Sequence, residues 1–154
     1  MKKELKLIQL LLDYSLHLSK GERLLIDVQQ HGNYLLDFFK RECETRGIAL
    51  KIFNRKVSVN LDDLELLDEL VDWCSAYLKI GGGEIKEDKD KDVAKKIHLK
   101  EGEIRNKRCK KKALMRFPSD YMSKMLNRSL KYLKSMNGKI YVDNKEVYNG
   151  KWMY

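Results

Sequence analysis

Lys20-Gly21-Glu22-Arg23-Leu24-Leu25-Ile26-Asp27-Val28 decides the fold. Lys20-Gly21 is turn chemistry. Arg23 to Val28 then sets four apolar residues in six, which suits a central parallel strand covered on both faces. A helical pattern precedes this stretch and another follows it. Helix, tight turn, buried strand, helix is the repeating unit of an α/β domain.

Upstream, Leu5, Ile8, Leu12 and Leu16, with Leu7, Leu11 and Leu18 beside them, predict an amphipathic helix over Lys3 to Leu18. Gly21 is the residue expected to adopt the left-handed cap that ends it. Gln9 and Asp13 interrupt the apolar run and no small-residue cleavage site follows, so the segment reads as a helix rather than a signal peptide.

Downstream, Leu35, Leu36, Phe39 and Cys43 predict a second helix over Asn33 to Arg46, closed by Gly47. Ile48 to Phe53 is the second strand, and the βαβ crossover should be right-handed. Asn60 is the expected N-cap of a third helix, Leu61 to Trp73, and Ala76 to Ile80 the third strand. Ala113 to Phe117 reads as a fourth strand, stopped by Pro118. Ser119 would cap a helix over 120–134, with Met122, Met125, Leu126, Leu130 and Leu133 inward.

These elements predict one three-layer α/β domain over residues 1–137. Its sheet is mainly parallel, about four strands wide, with helices on both faces. Residues 138–154 form a β-hairpin-like tail around Asp143-Asn144 and Asn149-Gly150, read as the start of a second domain. Tyr148, Trp152 and Tyr154 make that tail the expected self-association surface, because exposed aromatic strands seek pairing.

The net charge of +9 is unevenly placed: residues 1–77 carry −2 and residues 78–154 carry +11. Residues 86–112 are the most charged, and sparse Val93, Ile97 and Ile104 allow a helix with a thin buried stripe. Arg105, Lys107, Arg108, Lys110, Lys111 and Lys112 fall within eight positions. They form either a solvated face or a phosphate-backbone contact patch, so nucleic acid is a candidate partner. No aromatic residue interleaves the run to stack bases.

Other chemistry is sparse. Gly81-Gly82-Gly83 follows a strand, but Glu84, Glu87, Asp88 and Asp90 crowd its exit and would repel phosphate. No apolar run approaches the roughly 20 residues that span a bilayer, so no membrane partner is expected. Three cysteines at unrelated spacings argue against a disulfide framework and for a reducing cytoplasm. Cys43 and Cys74 should be buried, while Cys109 amid cations should be the most reactive thiol.

His17, His31 and His98 fall on three separate elements. His31 follows the first strand's carboxyl end, the usual ligand side of an open sheet. With Asp27 and Asn33 nearby in sequence, it is the one position to test for binding. Asp62, Asp63, Glu65, Asp68 and Glu69 read as the solvated face of the third helix.

Tyr14-Ser15-Leu16, Leu18 and Lys20-Gly21-Glu22-Arg23-Leu24-Leu25-Ile26 resemble the opening of the aminopeptidase T family of metallopeptidases. Gly47 before a strand, the Asp72–Ile80 segment and the Phe117-Pro118-Ser119 junction extend the likeness over about residues 5 to 125. Ser119 stands where that family commonly has threonine, and Ser123 near its alanine. The resemblance implies an N-terminal α/β domain. Divalent metal ions would be held by glutamates, histidines and an aspartate in a further domain that this chain ends before, so no cofactor and no catalytic residue is expected here. The family also has a ring-cleaving iron dioxygenase branch.

The leading expectation is therefore an aminopeptidase-like domain, inactive alone, serving as a scaffold or association domain or as a fragment of a longer protein. The alternative is a small basic nucleic-acid-binding protein. A stand-alone small-molecule enzyme at the sheet's carboxyl edge comes third.

Overall fold

A computed structural model describes residues 3–55, 60–82, 91–107, 109–117, 131, 139–142 and 145–149. The chain opens with α1 (Lys3–Leu10), which widens into a π-helical turn over Leu11–Ser15. β1 (Arg23–Val28) follows, then a 3₁₀ segment (Gln30–Leu35) running into α2 (Leu36–Arg46). Next come β2 (Ala49–Asn54), α3 (Leu61–Trp73), β3 (Ala76–Gly81), α4 (Lys91–Asn106) and β4 (Lys111–Arg116). β5 (Lys139–Val142) and β6 (Lys145–Asn149) pair antiparallel in a sheet of their own.

The main sheet has the order β2-β1-β3-β4, and every pairing is parallel. β1 is central, and Leu24 to Val28 are all buried. Period-two alternation gives each face its own core. Leu24, Ile26, Val28, Ala76, Leu78 and Ile80 meet Ile8 and Leu12 from the first helix, Leu16 just after it and Phe39 from α2. Leu25, Phe53 and Tyr77 meet Leu64, Leu67 and Val71 of α3 and Ile104 of α4. The three-layer α/β arrangement expected from the sequence is thus present.

Two helix boundaries differ from expectation. The first helix stops at Ser15, not Leu18: Leu16 N–H reaches back to Leu11 O, and His17 takes a positive φ of 47°. Gly21 is left-handed as expected, but in the turn after the helix rather than as its cap. The second helix begins as 3₁₀ at Gln30, ahead of the expected Asn33. Asp13 then pairs with Arg46, which ties the first helix to the end of α2.

α3 has the expected Asn60 cap, a full capping box: Asp63 N–H donates to Asn60 Oδ1 and Asn60 N–H donates to Asp63 Oδ2. The helix expected over 120–134 lies outside the described residues apart from Lys131, which is helical. Among the described residues, no helix is long and apolar enough to cross a membrane.

Candidate functional site

β1 and β3 are neighbours, yet the chain leaves β1 toward β2 and leaves β3 toward β4. Their carboxyl ends therefore mark the point where strand order reverses, where open α/β sheets place ligands. Among the described residues, the strand exits at this crevice are joined by the chain's own hydrogen bonds. Gln29 N–H donates to Ile80 O at 2.9 Å, and Gly82 N–H donates to the Gln29 side-chain oxygen at 2.7 Å. His31 N–H donates to Gly82 O at 3.0 Å, and Phe117 N–H donates to Gly81 O at 2.9 Å.

Gly32 sits in the floor. A Cβ there would lie 2.5 Å from Ile80 Cγ2 and 2.8 Å from Val28 Cγ2, so only glycine fits without displacement. The Gly82 amide, the donor a phosphate would need in the glycine run, is already given to Gln29. Gly83 lies outside the described residues.

His31 and Asn33 are exposed on the 3₁₀ segment, and the His31 ring lies edge-on to Phe117 at 6.5 Å. Asp27 does not join them. Strand alternation turns it to the α3/α4 face, where it is completely buried. The three residues grouped by sequence proximity are therefore not one site.

Asp27 instead anchors a closed polar network. Arg55 Nε and Nη2 donate to its two oxygens at 2.6 and 2.7 Å, a bidentate pair. The Tyr77 hydroxyl donates to Asp27 Oδ2, and Arg55 Nη1 donates to Glu101 Oε1 at 2.7 Å. Burial alone would lower the Arg55 pKa, but the two carboxylates overcome it and hold the guanidinium more firmly charged than usual. Chemically this is a clamp rather than a reaction centre. It ties β1, the exit of β2, β3 and α4 together.

Arg55, Tyr77 and Glu101 were not singled out from sequence, although a signal existed. A carboxylate inside a buried strand requires a partner. Asp27 is in register with Phe53, and Arg55 follows two places later.

The basic run is divided by the fold. Lys107 pairs with Asp68 on α3. Lys111 Nζ donates to Glu22 at 2.8 Å and to His17 O at 2.7 Å. Burial would raise the Glu22 carboxyl, but Lys111 and the Ser19 N–H prevail and hold it below the usual range. Lys110 and Lys112 are exposed, and Lys112 with Lys79, Tyr77, Asn106 and Leu114 lines an open groove of about 340 Å³. Arg105 lies at the end of α4, and Arg108 lies outside the described residues.

Cys109, expected from its cationic neighbours to be the most reactive thiol, is 3% exposed and lies against Cys74. Cys43 and Cys74 are buried as expected. Burial pushes the Cys43 thiol up to about 11. Tyr148 lies on β6, opposite Ile140, while Trp152 and Tyr154 lie outside the described residues. Among the described residues, no three His, Cys, Asp or Glu side chains converge to hold a metal ion.

No protein-family model matches this sequence, and no curated protein matches it. By structure, the chain is similar to wild-type AmpT, aminopeptidase T, from Thermus thermophilus, with a TM-score of 0.52 and 12% identity. The likeness covers 76% of this chain and 36% of AmpT. The chain thus spans about a third of that protein's length, and at this identity the likeness is one of fold.

Proposed function

We propose that this chain is an aminopeptidase T-like α/β domain that serves association or scaffolding and does not catalyse peptide hydrolysis by itself. The observation that carries this reading is the fold likeness to AmpT, which spans most of this chain and only about a third of that protein. Metal-assisted hydrolysis needs a fixed ion, an activated water and a positioned base. The divalent ions implied by the resemblance find no fitting set among the described residues, and the buried carboxylate Asp27 is fully committed to Arg55 and Tyr77.

The association surface in this reading is the tail. A two-stranded hairpin such as β5/β6 is marginal alone, and its edges can take further strands. The nucleic-acid alternative is less supported, because Lys107 and Lys111 spend their charge on Asp68 and Glu22.

Purified protein is expected to show no turnover of a leucyl substrate with zinc, cobalt, magnesium or manganese. It is also expected to self-associate on a sizing column, with deletion of residues 146–154 shifting it toward monomer. Stoichiometric metal with turnover that survives repurification overturns the reading. A full-length chain already monomeric at high concentration removes the tail's role.

A further inference from the structure

All three cysteines are free thiols, and two of them meet. Cys74 is the C-cap of α3, and Cys109 lies between α4 and β4. Each stands two places ahead of a strand, and the strands' first residues, Ala76 and Lys111, are register partners. Neighbouring strands run about 4.8 Å apart, so equivalent positions just ahead of them bring two side chains together. The Sγ atoms lie 3.1 Å apart, and Cys74 Sγ also donates to Val71 O at 3.3 Å. Cys74 is 8% exposed and Cys109 3% exposed.

We propose that Cys74 and Cys109 form a reversible redox-modification site, a dithiol that hydrogen peroxide converts into an intramolecular disulfide. The spacing of adjacent strands falls within the Cα range that disulfides tolerate, so the bond forms with little backbone movement. Near-complete burial excludes bulky disulfide oxidants and selects a small one.

The thiolate of one cysteine attacks a peroxide oxygen, the O–O bond breaks, and the departing hydroxide takes up a proton as water. The sulfur is now a sulfenic acid. The second thiol gives up its proton and attacks that sulfur. The S–O bond breaks, the S–S bond forms, and a second water leaves. Two thiols have lost two electrons and two hydrogens to one peroxide. A small dithiol returns both.

Burial, reinforced by the neighbouring Cys109 sulfur, pushes the Cys74 thiol up to about 12. The Cys74 thiolate is therefore scarce at neutral pH. Cys43 lies in the core on the opposite face of the sheet, away from both. The new bond would close a loop that holds β3 and α4, and with them Tyr77 and Glu101 of the Arg55 clamp.

The test uses the reduced, full-length chain. After hydrogen peroxide treatment it is denatured and alkylated, and its peptides are mapped by mass spectrometry. Alkylatable thiols are expected to fall from three to one. A Cys74–Cys109 linked peptide should appear, and dithiothreitol should restore all three thiols. The oxidised protein should melt several degrees higher than the reduced form. Cys43→Ala should behave like the natural chain, whereas Cys109→Ala should form no internal link. Three thiols surviving peroxide, a link through Cys43 or between chains, or oxidation that dithiothreitol does not reverse overturns the proposal. Peptide mapping of the unsubstituted chain decides the question whether or not either variant folds.

Discussion

Leu24, Ile26 and Val28 turn to one face of β1 and meet hydrocarbon from α1 and α2. Leu25 and Asp27 turn to the other, and there the core also admits an ion pair, a phenol and two thiols. The first face is held by shape, since close-packed side chains leave no slack. The second is held by shape and by donors matched to acceptors, where a single missing partner strands a charge away from water. One strand thus supports two kinds of core, and each fails differently.

The largest effect is expected on the α3/α4 face. Arg55→Met leaves Asp27 buried without its guanidinium, at a cost of about 3–5 kcal/mol in denaturant unfolding. Adding Asp27→Leu should recover much of that loss, because the stranded charge goes with it. A loss under about 1 kcal/mol for the single variant would show that the clamp does not hold this face.

The opposite face is tested by adding volume. Gly32→Ala pushes a methyl group against Ile80 and Val28 and should cost about 1–3 kcal/mol. Asp27→Leu should do nothing to relieve it, since that change acts on the other layer. Rescue by the double variant would mean that the two faces are coupled.

The smallest effect lies at the amino edge, where Glu22 joins the turn before β1 to Lys111 on β4. Glu22→Gln should cost roughly 0.5 kcal/mol at neutral pH, as a partly exposed ion pair does. Because folding lowers the Glu22 pKa, this stability is present above its ordinary value of 4.5 and fades as pH falls through the folded value. The gap between natural chain and variant should therefore close in acid. A gap that persists below that range would assign the effect to packing.

Most of the fold was legible. β1 and α3 fall at the expected residues because an apolar run and a capped 3.6-residue period leave few alternatives. The ends of the first two helices were not, since π and 3₁₀ turns arise from packing against the sheet rather than from residue type. The site was less legible still. His31, Asp27 and Asn33 are neighbours in sequence, but strand alternation sends Asp27 to the far face. Cys74 and Cys109 meet only through the register of β3 on β4, which no local pattern reveals.

The order in which the strands stand also bears on how quickly the sheet assembles. Arg23 finds Ala49 across a single helix, whereas Leu24 must find Ala76 about twice as far along the chain. Closing the longer segment costs more chain entropy before any contact rewards it. The β1–α2–β2 unit is therefore the natural early nucleus, and docking of β3 on β1 is the late step. Until it docks, the central strand has one bare edge, and the backbone from Leu24 to Val28 is what it leaves open to the addition of a stray strand.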